Sequence, residues 1–339
     1  MSEITSKSPY SVRAVQCDHH AEDEAVYEAL KRATLPLTRA WKTLRSAERI
    51  GIKFNQDYRL ERTPRFEGMR QQLVSDKVAG ALIRLLREET EAELFYCDVT
   101  AFSRTDDPNP PETAHLAPLM EALDVPYVNG DRPPHDVYQV PGGGQMFRQY
   151  LMPTEIMEAD ALVDVQKMKN HRFMGITLTL KNLFGLVPRE QYGRSRQYFH
   201  HLVRMPYMLA DIGRLFNPTL NIIDALTGQA GMEWGPGEGL GRVVDALVAG
   251  DHPVATDAVG ATLMGHDPKA DWPEEPFRRD RNAILVAANG GYGTVDLDGI
   301  DVASEVEPQP AGTFFTEYND TMERMVSWRR TTCEQALYY

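Results

Sequence analysis

The chain has 339 residues and a formal net charge of −13, with 42% hydrophobic and 25% charged residues. That composition suits a globular protein of one large domain or two lobes, and the acidic balance argues against general nucleic-acid binding, which needs a basic surface. Three cysteines without C-x-x-C spacing, Cys17, Cys97 and Cys333, argue against a disulfide framework and against a four-cysteine cluster held by one chain.

The first sixteen residues lack the apolar core of a signal peptide. The longest apolar runs fall well short of the roughly 18 residues a membrane helix needs. With free thiols, a soluble cytoplasmic protein is expected. Residues 1–20 read as an extended or frayed lead-in, and Glu22 to Arg32 has helical spacing. Arg49 to Asn55 alternates apolar and polar residues as a half-buried strand does. Lys53 then lies on the strand's other face, facing either solvent or a pocket. Asp76 to Thr90 carries the stripe Val78, Ala81, Leu82, Leu85 and Leu86 of an amphipathic helix. Leu94 to Val99 reads as the next strand, so a parallel βαβ unit is expected. Residues 103–145 hold eight prolines; apart from a short helix at His115 to Leu123 and a strand at Val137 to Val140 they read as loop. This segment is either a lid or an insertion that packs on the surface.

Ala161 to Val165 reads as a short strand. It leads into Lys167 to Arg204, where eight basic residues face one acid, Glu190, in an otherwise acidic chain. A local positive potential and an anionic ligand are expected, the alternative being a solvated basic face. Lys167, Lys169 and His171 would occupy the loop at a strand's carboxyl end, where open α/β sheets bind ligands. From Ile176 to Val187 helix and strand periodicities both fit, and length favours a helix. Thr177 and Lys181 would then share a face, and the helix start would offer N–H groups to an anion.

Thr219 to Ala225 reads as a strand with Asp224 near its end. The glycine-rich loop after it, which includes Gly237, has neither a G-x-G-x-x-G register nor a following GK[ST], so no dinucleotide fingerprint and no P-loop are present. Val243 to Ala249 reads as a strand, and Val254 to Met264 as a helix with Asp257 in its first turns, preceded by Asp251 and His252. Ala283 to Ala288 is expected as a final strand. From about residue 300 a tail is expected, with a terminal helix near Thr321 to Arg330.

Lys167, Lys169 and His171, followed by Gly175, Thr177, Lys181, Asn182, Phe184 and Gly185, resemble the signature of domain-of-unknown-function family 362. Blocks at Ile50 to Asn55, Ile222 to Gly228, Gly235 to Gly239 and Ala249 to Pro268 look similar too. The resemblance covers roughly residues 45–295. Some members of that family carry ferredoxin-like cysteine motifs, from which this chain departs. The chain divides into an N-terminal extension (1–44), a first α/β segment (45–160), a second carrying the Lys/His cluster (161–300) and a tail (301–339). The expected fold is α/β, a central, largely parallel or mixed sheet flanked by helices, as one body or two lobes meeting near residue 160.

No G-x-S-x-G elbow and no H-E-x-x-H motif is present. Lysine, histidine and aspartate at strand ends remain. The favoured expectation is an isomerase, epimerase or lyase acting on a small carboxylate or phosphate. His171 would exchange the proton, and Lys169 would hold the anion beside it. Lys53, Lys167, Lys181, Asn182, Thr177 and Gly237 would bind substrate, with Asp257 or Asp224 orienting the imidazole or acting as a second base. A fold-level analogy to nickel-dependent lactate racemases leans the same way. Two alternatives stand beside it. One is a metal- or iron–sulfur-associated redox protein, with His171, Asp224, Asp251, His252 and Asp257 as ligands for a divalent metal. The other is a non-catalytic binder of an anion. No nucleic-acid or membrane partner is expected, and a homo-oligomer is left open.

Overall fold

A computed structural model describes residues 8–99, 107–189, 204–231 and 240–316. The first half runs β1 (Ser11–Gln16), α1 (Asp23–Thr34), α2 (Thr38–Leu44), β2 (Arg49–Phe54), β3 (Arg65–Phe66), β4 (Met69–Arg70), α3 (Asp76–Glu89), β5 (Glu93–Asp98), α4 (Ala117–Ala122), β6 (Tyr127–Asn129), β7 (His135–Gln139) and β8 (Gln149–Pro153). The second runs α5 (Thr154–Met157), β9 (Ala161–His171), β10 (Gly175–Thr177), α6 (Thr179–Asn182), α7 (Met205–Phe216), β11 (Leu220–Gln229), β12 (Gly241–Gly250), α8 (Pro253–Leu263), α9 (Ala283–Asn289) and β13 (Asp301–Ser304).

Nine strands form one mixed sheet in the order β13-β1-β12-β11-β9-β2-β5-β6, with β10 folded back on the end of β9. β6, β5, β2, β9 and β11 run parallel, so their carboxyl ends share one edge. β12 runs antiparallel between β11 and β1. This is the expected α/β class. β2 and β9 pair from Ile50–Ala161 to Phe54–Val165, so the sheet passes through both sides of residue 160.

Alternation along β9 builds two cores. Val163 and Val165 pack with Ile52, Phe54 and the stripes of α1 and α3. Leu162 and Met168 face Met208, Ile212, Ala258 and Ile284 on the other side. Cover on both faces explains why every residue of β9 is buried. The stripe of α3 is as expected, and its start is capped by the Ser75 hydroxyl, which accepts from Val78 N.

Several expectations need correction. The lead-in contains β1, an interior strand paired with β12 and β13. β9 does not stop at Val165 but continues to His171, because β2, β11 and β10 supply ladder partners on both sides. The expected helix from Ile176 is first a strand, β10, and then a short helix starting only at Thr179. Gly175 (φ +76) makes the tight reversal that sends β10 back along β9. Ala283 to Asn289 is a helix, started by the Asn282 side chain accepting from Ile284 N. The tail begins with β13, which extends the sheet. The terminal helix near Thr321 to Arg330 lies outside the described residues.

Among the described residues no helix is long and apolar enough to cross a membrane.

Candidate functional site

The second half of β9 is polar yet buried, and it lies at the carboxyl edge. Lys167 Nζ donates to Asp224 Oδ1 at 3.0 Å, and neither residue has any exposed surface. A pair this deep balances a large desolvation cost against close attraction, so removing one partner is far costlier than removing both. The other oxygen, Oδ2 of Asp224, accepts from Ser75 N at 2.8 Å, which seats the chain before α3 on the sheet. Gln71 adds a bond from Nε2 to Thr227 Oγ1 at 3.1 Å.

One step further out the sheet aligns Thr177 of β10, Lys169 of β9 and Gln229 of β11 in a row. Directly opposed residues of neighbouring strands share a face. Lys169 Nζ donates to the carbonyl of Gln72 at 3.0 Å. Gln72 is 2% exposed and has φ +68, a left-handed backbone that a non-glycine residue rarely adopts. Its side-chain Nε2 and the hydroxyl of Thr177 are buried polar atoms without a hydrogen-bond partner among the described residues. His171 lies two residues further along β9, opposite Gly175, and its Nδ1 accepts from the amides of Phe173 and Met174 at 2.9 and 3.2 Å.

The opposite face of the sheet carries a second set. Lys53 is 3% exposed; its Nζ lies 3.1 Å from Asp98 Oδ1 and donates to Phe54 O at 2.7 Å. It is therefore neither a solvent-facing lysine nor on the same face as Lys169. Asn182 Nδ2 donates to Asp164 Oδ1 at 2.6 Å and to Val165 O at 3.1 Å. Burial holds the Asp164 carboxyl well above the usual carboxylate range, against the lowering by Asn182 and Lys53. Gly185 is packed onto this set, since a Cβ there would sit 2.7 Å from Lys53 Cε.

Residues 50–262 match the model of a domain of unknown function, DUF362. The chain belongs to the DUF362 family. It is also similar to the thylakoid-associated protein sll1697 of a Synechocystis strain, at 28% identity over 206 residues. That alignment covers 59% of each protein, so the chain spans less than two thirds of that relative's length.

The DUF362 signature thus divides between the two faces of one strand end. Lys167, Lys169, His171 and Thr177 lie at the β9–β10 hairpin, while Asn182 and Gly185 serve the Lys53 side. Lys181 places its ammonium over the Phe184 ring, 4.8 Å from the centroid. Because Thr177 belongs to β10, it shares no helix face with Lys181. The expected anion site at the helix start is occupied from within: Asp257 accepts from Thr179 N and Leu180 N, each at 2.8 Å, and from Thr179 Oγ1 at 2.6 Å. Burial pushes Asp257 up to about 7 against these three bonds.

The five metal candidates each have separate partners. Asp224 holds Lys167, Asp257 caps α6, and Asp251 accepts from Ser11 N at 2.9 Å and meets Arg39 at 3.0 Å. His252 caps α8 through Nδ1, which accepts from Val254 N, and His171 holds its turn. Among the described residues the ligand atoms that do converge are those of Asp18, His19 and Asp245, all within 4.8 Å of one another. Asp245 Oδ1 and His19 Nδ1 already pair at 2.7 Å. Gly237 lies outside the described residues. Gln72, Asp98 and Asp164 are site residues that the sequence reading missed. An acid amid the apolar run Ala161 to Val165 was a signal for Asp164; nothing local marks Gln72.

Proposed function

We propose that this DUF362 chain binds a small carboxylate- or phosphate-bearing metabolite at the carboxyl edge of the sheet and acts on it by acid–base chemistry of the isomerase, epimerase or lyase type. One observation carries the reading. Thr177 and Lys169 lie side by side across the β9–β10 pair, Lys169 donates to Gln72 O, and Thr177 Oγ1 and Gln72 Nε2 are buried donors without a partner among the described residues. Buried donors left unmet cost about 1–3 kcal/mol each, and an anion against the Lys169 ammonium would accept from both. A second reading, a binder without turnover, is favoured by His171, whose Nδ1 lone pair is already engaged by two amides.

The test has two parts. Acetate and inorganic phosphate are titrated calorimetrically into wild-type protein, Lys169→Ala and Thr177→Val. Specific binding lost in both variants is expected; equal binding by all three proteins removes the site. Exchange of the α-hydrogen of 2-hydroxy- and 2-amino-carboxylates is then followed by NMR in heavy water. Exchange catalysed by wild type and about 10²–10⁴-fold slower in His171→Asn, at unchanged binding, supports acid–base chemistry; binding without exchange selects the second reading.

A further inference from the structure

The proline-rich segment runs past the ligand edge and is fastened there. Thr113 Oγ1 donates to Asp57 Oδ1 at 2.5 Å, and Ala114 bridges Asp57. Next comes His115, whose side chain is buried. Its Nδ1 lies 2.9 Å from Gln56 O, just past β2, and its Nε2 lies 2.7 Å from Val74 O. A carbonyl oxygen only accepts, so both contacts are hydrogen bonds only when both ring nitrogens carry protons. From α3, Asp76 Oδ1 stands 3.8 Å from Nε2 as counter-charge. From β4, Arg70 opposes it, its Nη1 lying 4.0 Å from Asp76.

Val74 belongs to the strap that covers Lys169: Gln72 O takes the Lys169 ammonium, Val74 N donates to Asn55 O, and Ser75 N donates to Asp224. We infer that protonated His115 is a latch fastening the 71–75 strap to the end of β2, and so a positioning residue that keeps Gln72 over Lys169. The inference rests on reading that edge as the ligand site. In the neutral ring one nitrogen sets a lone pair against a carbonyl, and the strap loosens. Burial pushes the His115 pKa below its ordinary value, while the two carbonyls and Asp76 raise it. Acidification below neutrality therefore engages the latch.

Hydrogen exchange on the full chain, without added ligand and corrected for intrinsic rates, reads the strap directly. The Val74 and Ser75 amides should gain about tenfold protection in wild-type protein, the worth of one hydrogen bond from a charged donor, as the medium is acidified from about pH 8 to as far below the ordinary histidine pKa of about 6.5 as the protein stays folded. The gain should vanish in His115→Gln, and its midpoint should fall to lower pH in Asp76→Asn. The same gain in His115→Gln, or none in wild type, overturns the latch. If His115→Gln does not fold, imidazole ¹⁵N shifts of the wild type decide: both nitrogens protonated at the acid end supports the latch, and a single neutral tautomer throughout overturns it. Failure here leaves anion binding standing, because no ligand is present; failure of the acetate and phosphate titrations removes the binding site without altering strap exchange.

Discussion

At His171 two amide donors meet one ring nitrogen, which places the proton of the neutral ring on Nε2. The ring therefore holds the reversal between β9 and β10 whatever else it does. His171→Ala strands two buried N–H groups, at about 1–3 kcal/mol each. An asparagine oxygen can accept from the amide two residues on, as in an Asx turn, so His171→Asn should keep most of the stability. Urea unfolding of both variants checks this; an alanine variant as stable as wild type would remove the turn role. The residue types of the site were legible in the sequence because a lysine–histidine cluster stands out in an acidic chain. Their partners were not. Asp224 lies 57 residues from Lys167, and Gln72 lies 97 residues from Lys169. Nothing local encodes such pairings.

At the scale of elements, β2 follows from its alternation and α3 from its apolar stripe, while β5 and α8 follow from apolar runs, both being buried on nearly every side. β9 outruns its apolar run, which ends at Val165, by six residues. Its remaining residues are buried and, Met168 apart, polar; Lys167 and Lys169 meet partners from distant parts of the chain, and no alternation rule reports that. α9 was misread for the opposite reason: a short apolar run fits either state, and only the Asn282 cap decides. The β9–β10 hairpin depends on Gly175. A Cβ there would lie 2.8 Å from both Phe277 Cδ1 and Pro276 O, at φ +76. The left-handed backbone alone costs a non-glycine residue about 1–2 kcal/mol, and overpacking typically adds about 1–3 kcal/mol. Gly175→Ala should therefore lower the melting temperature and expose the Thr177 amide to hydrogen exchange. A variant with wild-type melting and exchange would show that the hairpin does not need glycine.

For the molecule as a whole, the buried titratable groups pull stability in opposite directions with pH. Burial pushes Asp257 up to about 7, and Asp164 is also raised. A carboxyl whose folded pKa exceeds its unfolded one keeps its proton where the unfolded chain has lost it. Its contribution therefore falls as pH rises from about 4 to about 7, by at most about 1.4 kcal/mol per pH unit for one proton. Burial, with Arg39, pulls His252 down to about 3, and burial alone pulls His266 down to about 4. A histidine depressed this way is neutral when folded, so its contribution falls as pH drops through about 6.5, where the unfolded ring takes a proton. Between about pH 4 and about pH 6.5 the two effects oppose each other. Removing one group of each kind should tilt the balance in opposite senses. Asp257→Asn removes one of the contributions that fall with rising pH, so stability should rise more steeply, or fall less, with pH than in wild type across that window. His252→Asn keeps an acceptor for Val254 N, and should tilt the profile the other way. Denaturant unfolding at several pH values gives both slopes. Parallel profiles for the two variants would mean that Asp257 and His252 titrate as they do in the unfolded chain.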